Sequence, residues 1–229
     1  MPVLTVGGKN ILYIHVPKTG GTSVEKLMRS YGGILWSYSP RRKGLPCTPQ
    51  HFHSELLATA FGSTIDESGC EHPFDFVFMT VRHPVERLLS EYRYQRTLGE
   101  ESDIPLLLKD RFASARYSGP ARMLSFDLWC RYAIARFGRN SYFADNHLRP
   151  QSDFEIWDAS VFRLEDGLDA IRKTLDKVIG TSGSLPSEPS RKARHSAGDS
   201  NRLSRTTREL IAKHFDDDFS RFLYRFDTP

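Results

Sequence analysis

The stretch that most constrains the fold is residues 11–28, ILYIHVPKTGGTSVEKLM. Its apolar run is bounded by Pro17, which is typical of a strand buried on both faces. Apolar residues then recur with helical spacing, at Val24, Leu27, Met28 and Tyr31. This periodicity predicts a helix that starts near Thr22 or Ser23. A strand, a glycine-containing loop and a helix therefore follow one another.

The loop between them, PKTGGTS, has the chemistry of a phosphate-binding site. Gly20 and Gly21 allow a tight turn with inward N–H groups, and the helix N-terminus behind them adds a partial positive charge. Lys18 adds a full charge, and hydroxyl donors come from Thr19, Thr22 and Ser23. A simple turn with a solvated lysine is the alternative, but it does not explain why glycines, cation and hydroxyls coincide.

This loop differs from the ATP and GTP pattern G-x-x-x-x-G-K-[ST], because its lysine precedes the glycines. It closely resembles the 5'-phosphosulfate loop of sulfotransferases that use 3'-phosphoadenosine 5'-phosphosulfate (PAPS), whose sequence mark is P-K-T-G/A-G/S-T-S. The resemblance implies that Lys18, Thr19, Gly20, Gly21, Thr22 and Ser23 bind the phosphosulfate group. It also implies that Lys18 is catalytic.

The second motif is FDFVFMTVRHPVERLLSEY, at residues 74–92. A β-rich run ends at Arg82, and Pro84 fits the first turn of a following helix. A guanidinium at the carboxyl end of a strand, together with the Ser90 hydroxyl, suits a phosphate. The segment resembles V-R-x-P-x-x-R-x-x-S-x-Y, the 3'-phosphate motif of the same family. The resemblance implies that Arg82 and Ser90 bind the 3'-phosphate.

The identity of residue 82 also indicates which class of nucleotide the protein binds. An enzyme that uses magnesium-bound ATP is expected to end this strand with an aspartate for the metal, whereas an arginine contacts an anion directly. A salt bridge from Arg82 to Glu86 or Glu91 is the structural alternative.

A candidate general base lies in TPQHFHSELL, where Ser54 is a predicted N-cap and His53 directly precedes the helix. A base that takes the proton of an acceptor hydroxyl contributes roughly 10²- to 10⁴-fold, and histidine suits this role near neutral pH. Uronyl 2-O-sulfotransferases have a His-x-His here whose second histidine is the base. The resemblance implies that His53 is the base, with His51 as the alternative. A metal site formed by this histidine pair and Cys47 lacks further ligands at metal-site spacing.

The segment DNHLRPQSDF, residues 145–154, resembles the D-x-H-W-x-P-Q of carbohydrate sulfotransferases of the chondroitin type. The resemblance implies that His147, Arg149 and Gln151 contact the acceptor or shape its site. Leu148 stands where that family has tryptophan. A turn stabilised by Asp145 and Pro150 explains the same residues equally well.

Residues 180–201 are rich in serine, glycine and proline, which predicts a flexible segment. Its RKARHS resembles the KDRHS of chondroitin 4-O-sulfotransferases. The resemblance implies that Lys192 and Arg194 close on the 3'-phosphate of the nucleotide. A disordered basic loop is the alternative.

The whole chain, with 229 residues of which 39% are hydrophobic, is long enough for one α/β domain over residues 1–229. The resemblance implies a P-loop NTPase-like three-layer fold, with a short parallel sheet flanked by helices. A net charge of +4 favours anionic ligands but is too small to indicate nucleic acid. Three cysteines without C-x-x-C indicate neither disulfides nor zinc, and no apolar run is long enough to predict a membrane span.

The sequence therefore predicts a PAPS-dependent sulfotransferase of the family 2 carbohydrate type. Its donor is PAPS, its product is adenosine 3',5'-bisphosphate (PAP), its acceptor is a hydroxyl on a carbohydrate or glycoconjugate, and no metal is required. A P-loop kinase and a non-catalytic nucleotide-binding protein of the same fold are the alternatives. The expected location is the cytoplasm of a bacterium, or the Golgi lumen if the sequence is part of a longer eukaryotic enzyme. The resemblance implies a monomer or homodimer.

Overall fold

The computed structural model describes residues 1–37, 43–62, 72–97, 119–181 and 203–226. The chain divides into two compact units. The first unit comprises Met1–Arg82 and Gln151–Arg194, and the second comprises His83–Pro150 and His195–Pro229. A single domain over the whole chain stays a prediction, and the two units are described in turn.

The first unit is built on a five-stranded sheet in the order β3-β1-β2-β4-β5. Its strands are β1 Val3–Val6, β2 Lys9–Ile14, β3 Gly33–Leu35, β4 Phe76–Val81 and β5 Ser160–Arg163. Strand β4 runs parallel to both β2 and β5, whereas β1 is antiparallel to β2 and β3. The centre of the sheet is therefore parallel and one side of it is antiparallel.

The apolar run that predicts the first buried strand lies in the middle of this sheet. The four residues at the end of β2, from Ile11 to Ile14, are completely buried. A strand covered on both faces has no polar side to present, so its sequence is continuously apolar. The hairpin between β1 and β2 is not among the elements predicted from the sequence; Gly7 and Gly8 turn it with φ of 57° and 76°.

The bounds of the helices are α1 Gly21–Arg29, α2 Ser54–Phe61, α3 Pro84–Thr97, α4 Phe126–Arg139, α5 Asp169–Ile179, α6 Arg205–His214 and α7 Asp216–Arg221. In the order of the chain, α1 and α2 lie in the first unit, α3 and α4 in the second, α5 in the first, and α6 and α7 in the second. Among the residues that the structure describes, no helix is long and apolar enough to span a membrane.

In the first unit, α1 and α5 share one hydrophobic core with the sheet. Helix α1 contributes Val24 and Met28, α5 contributes Ile171 and Leu175, and the strands contribute Tyr13, Phe78 and others. This is the face that the helical spacing after the glycine loop predicts. The packing fixes α1, and with it the loop that α1 follows.

The second unit is helical over its described residues, with a core around the fully buried Trp129 of α4. Val85, Leu88 and Leu89 of α3 and Ile211 of α6 pack into that core. In the structure α6 begins at Arg205, and the Ser204 side chain accepts the N–H of Thr207 as its cap.

Candidate functional site

The loop after β2 joins the sheet to the N-terminus of α1 in an unusual backbone conformation. Lys18 has φ of 68° and Gly20 has φ of 88°, so both are left-handed. The N–H groups of Ser23 and Val24 bond to the carbonyl of Gly20, at 2.9 and 3.2 Å. The first turn of α1 has no acidic residue. No carboxylate of the first turn therefore opposes the positive end of the α1 dipole, which faces the loop.

Neither glycine of the loop can be replaced without a shift of its neighbours. A Cβ on Gly20 would lie 2.5 Å from Cδ1 of Leu164, and a Cβ on Gly21 would overlap the ring of His15. The left-handed φ of Gly20 would strain any other residue there as well. Close packing of Leu164 and His15 therefore excludes a side chain at these two positions, which leaves backbone as what the loop offers to a ligand.

The hydroxyl groups of the loop divide between two environments. Thr19 is fully buried, and its Oγ1 donates to the carbonyl of Val16 at 2.8 Å and lies 3.0 Å from Oγ1 of Thr80 on β4. Thr80 in turn lies 2.6 Å from the Tyr13 hydroxyl on β2, and burial raises the pKa of that phenol. Thr22 and Ser23 are exposed. The Thr19 hydroxyl therefore holds the loop to the sheet, while the other two face solvent.

Arg82 follows β4 at the edge of the sheet where the glycine loop also lies. Because β2 and β4 are parallel, with Ile14 opposite Met79, their carboxyl ends share that edge. The Arg82 backbone is held on both sides by Gln151: its N–H donates to Oε1 of Gln151, and its carbonyl accepts from Nε2, each at 2.8 Å. Gln151 is fully buried and Arg82 is half-buried.

The structure places Gln151 against Arg82, and its predicted role at the acceptor stays a prediction. Both ends of its amide are bonded to the Arg82 backbone, so the side chain shapes the end of β4. The pairing joins positions 69 residues apart in the sequence. No local pattern reveals a contact at that separation.

The remaining predicted residues near the acceptor motif belong to the second unit. Nδ1 of His147 lies 2.6 Å from Oε2 of the buried Glu91. The Arg87 guanidinium donates to the carbonyls of His147 and Arg149, at 2.9 and 2.8 Å. Ser90 is half-buried on α3. The contacts that Arg87 and Glu91 make with this turn are not predicted from the sequence, although both residues lie in the predicted 3'-phosphate motif.

The turn before His147 is strained, since three consecutive non-glycine residues, Ala144, Asp145 and Asn146, have positive φ. Such runs persist only where surrounding contacts hold them. Arg149 is placed by Asn146, whose Oδ1 accepts from its Nε at 3.2 Å. Arg87 thus holds the backbone at both His147 and Arg149. Lys192 and Arg194 lie outside the described residues.

The two histidines of the His-x-His pair differ in setting. His53 is the N-cap of α2; its Nδ1 accepts the N–H of Leu56 at 3.4 Å, and it is only 3% exposed. The cap predicted for this helix was Ser54, which is instead its first residue. His51 ends a 3-10 turn at Pro49–His51 and is half-buried. Its Nδ1 lies 3.3 Å from Oγ1 of Thr48.

A third histidine, His15, has no role among those predicted from the sequence, although it stands just before the glycine loop. Its Nδ1 lies 3.1 Å from Oε1 of Glu25 on α1 and 3.0 Å from Nε2 of Gln50. Its ring packs against Gly21 and meets the His51 ring edge-on, with 5.5 Å between centroids. The signal that could have indicated a role for His15 is that a polar residue stands between a buried strand and the glycine loop.

Comparison with known protein families shows to which family the chain belongs. The chain matches the profile of the Sulfotransferase family over residues 2–225. It belongs to the sulfotransferase family. The family 2 type predicted from the two motifs is confirmed, as is the P-loop NTPase-like α/β fold. No curated protein and no solved structure matches this sulfotransferase.

Proposed function

We propose that this sulfotransferase moves a sulfuryl group from PAPS to an acceptor hydroxyl on a carbohydrate or glycoconjugate. The observation that carries the proposal is the loop between β2 and α1, where Gly20 and Gly21 have no room for a Cβ and the first turn of the helix has no acidic residue. Backbone N–H groups in such a loop bind the terminal group of a phosphate-like ligand. The acceptor class rests on the sequence resemblance around His147.

PAPS would supply an activated sulfuryl group that is joined to a phosphate leaving group. The backbone amides from Thr19 to Ser23 would hold the 5'-phosphosulfate. Arg82 would hold the 3'-phosphate, because a guanidinium can pair with two oxygens of a phosphate at once. Ser90 is assigned to the same phosphate because of its place in the motif. Lys192 and Arg194 are assigned to it by sequence resemblance alone.

Lys18 is the electrophilic group in this proposal. By analogy with phosphoryl transfer, charge grows on the bridging oxygen of the leaving phosphate, where a cation has its largest effect. The left-handed conformation of Lys18 costs about 1–3 kcal/mol, and such strain concentrates at functional sites. The backbone strain at this lysine supports its assignment to the reaction.

The acceptor hydroxyl needs a base, and one histidine of the His51 and His53 pair supplies it. The bond from the acceptor oxygen to sulfur forms as the bond from sulfur to the phosphate oxygen breaks. The hydroxyl proton passes to the histidine, and the electron pair of the broken bond stays with the phosphate as PAP leaves. A positioned base contributes roughly 10²- to 10⁴-fold.

Calorimetric titration tests the donor class. PAP and magnesium-bound ATP are each titrated into the wild type, into Arg82→Ala and into Arg205→Ala. Arg205 is the matched control because its side chain is 92% exposed on α6. PAP should bind without metal, and Arg82→Ala should weaken it about 10- to 100-fold, the effect of losing charge-assisted hydrogen bonds.

Preference for magnesium-bound ATP would replace the sulfotransferase mechanism with a kinase one. Equal loss of PAP affinity in both arginine variants would remove Arg82 from the 3'-phosphate site. PAP binding without any release of PAP from PAPS would indicate a non-catalytic nucleotide-binding protein of this fold.

A further inference from the structure

One face of α3 holds the turn that carries His147, and helix and turn both lie in the second unit. Arg87, Glu91 and Gln95 are spaced four residues apart on α3, so their side chains are neighbours on one side of the helix. Each of the three is only 2% exposed. The Arg87 guanidinium donates to the carbonyl of His147 at 2.9 Å, while Oε2 of Glu91 lies 2.6 Å from Nδ1 of the same residue. The face therefore holds His147 through both its backbone and its ring.

A chain of hydrogen bonds leads from the core of the second unit to this ring. The indole N–H of the completely buried Trp129 can only donate, and Oε1 of Gln95 accepts it at 3.2 Å. This bond orients the Gln95 amide, whose Nε2 then donates to Oε1 of Glu91 at 2.8 Å. The orientation of the amide follows from the hydrogen-bond network, because only one of its two orientations satisfies both neighbours.

The last bond of this chain determines which ring nitrogen of His147 carries a proton. A proton on Oε2 of Glu91 would face Nδ1 at 2.6 Å and would pass to it, because an ordinary imidazole is a stronger base than an ordinary carboxylate. Glu91 therefore only accepts, and Nδ1–H of His147 donates to it. Since Nδ1 is taken by Glu91, any hydrogen bond between this ring and the sulfuryl acceptor involves Nε2.

We propose that Glu91 is a positioning residue of this sulfotransferase that acts on the acceptor through His147, an assignment that rests on the function proposed above. Glu91 keeps the proton of the neutral ring on Nδ1, so Nε2 accepts a hydrogen bond from a hydroxyl of the sugar. No proton is transferred at His147, since the base belongs to the His-x-His pair. Gln95 and Trp129 support Glu91 by fixing the direction in which each group donates.

Glu91→Gln tests this assignment because it reverses the tautomer of His147 with almost no change of shape. Gln95 still donates toward residue 91, so the new amide turns its oxygen to Gln95 and its N–H to His147. Nδ1 of His147 must then accept, and the ring proton moves to Nε2. The double variant Glu91→Gln with Gln95→Glu exchanges the two groups. Residue 95 then accepts from both neighbours, the amide oxygen at residue 91 faces His147, and Nδ1 carries the proton again.

Two measurements are made on the full chain of the wild type, of both variants and of Glu209→Gln. Glu209 is the matched control because its side chain is 64% exposed on α6. The first measurement is ¹⁵N NMR of the histidine rings at mildly alkaline pH, where ordinary histidine is neutral. The His147 signals are those that disappear in His147→Asn. The second measurement is PAP release from PAPS at varied concentrations of chondroitin, together with PAP titration and the melting temperature.

The wild type and the double variant should show the proton on Nδ1 of His147, and Glu91→Gln should show it on Nε2. The KM for chondroitin should rise about tenfold in Glu91→Gln, the usual effect of losing one hydrogen bond. It should return to within about threefold of wild type in the double variant, and PAP affinity should not change in either. A role in stability alone would lower the melting temperature without moving the KM for chondroitin.

Several outcomes would overturn the proposal. A wild type with the proton on Nε2 would do so without any variant, as would a reversed tautomer with an unchanged KM for chondroitin. A double variant that regains the tautomer but keeps the raised KM would show that the charge of Glu91 matters and the tautomer does not. A wild type that binds PAP but transfers nothing to chondroitin would remove the sugar from the proposal. Failure of the wild type to bind PAP would instead contradict the donor class, and the ring signals report on Glu91 in that case as well.

Discussion

The two parallel strands that carry the proposed nucleotide-binding motifs end at the same edge of the sheet, but the chain after each strand offers a different kind of group to a ligand. After β2, the chain offers backbone at Gly20 and Gly21, where side chains have no room. After β4, it offers the Arg82 side chain, and the buried Gln151 holds the backbone beneath it. In the proposed function, the first site would depend on close packing behind the loop, and the second would depend on one charge and its support.

The difference suggests a division between recognition and reaction. Backbone N–H groups are rigid and fixed in direction, so they suit the group that must be aligned for transfer. A guanidinium on a flexible stem suits a phosphate that takes no part in the chemistry. Lys18 is the exception in the first site, as the only charged side chain in the loop from Pro17 to Ser23.

Lys18→Ala should have a larger effect than a substitution of Gly21 or Gln151. If Lys18 stabilises the leaving oxygen, its loss should lower kcat about 10²- to 10³-fold, the usual cost of removing one preorganised donor. PAP affinity should fall much less, because the backbone amides remain. PAP release and calorimetry measure the two quantities. Lys26→Ala, on an exposed position of α1, is the control. A large loss of PAP affinity with normal kcat would assign Lys18 to binding alone.

Gly21→Ala tests the packing behind the loop and should have an intermediate effect. The added methyl overlaps the His15 ring, and overpacking costs about 1–3 kcal/mol, or about 2 to 12 °C in melting temperature for a chain of this size. PAP affinity should fall about tenfold, because the N–H groups must shift.

The control for Gly21→Ala is Gly138→Ala on α4, where a Cβ meets nothing within 4 Å and alanine favours the helix. The double variant Gly21→Ala with His15→Ala restores the missing space. It should recover part of the lost stability, a coupling that a double-mutant cycle measures. Additive losses would show that His15 is not what excludes a side chain at Gly21.

The sequence predicted the elements whose signal is local. The continuous apolar run of β2 and the helical spacing of α1 are properties of adjacent residues. Both elements are present, although β2 ends at Ile14, before Pro17, and α1 begins at Gly21, before Thr22. The β1 hairpin also had a local signal, because Gly7 and Gly8 separate two short apolar runs and paired glycines favour hairpin turns.

The supports of the candidate site could not be predicted in the same way. Gln151 meets Arg82 across 69 residues, and Gln50 meets His15 across 35. These contacts exist only because the sheet brings distant segments to one edge, so no spacing within the chain reveals them. The motifs predict which residues contact the ligand, whereas the fold determines which residues hold them in place.

Gln151→Met should have the smallest effect, and it tests whether the second site depends on this support. Methionine has a similar volume but bonds to neither the N–H nor the carbonyl of Arg82. Leaving these groups unsatisfied should cost about 1–3 kcal/mol of unfolding free energy and weaken PAP about three- to tenfold. Calorimetry on Gln151→Met, Arg82→Ala and the double variant separates two explanations. If Gln151 acts through Arg82, the double variant binds PAP no worse than Arg82→Ala. If the losses add, Gln151 affects the nucleotide by another route, and the contrast between a packed site and a charged site fails.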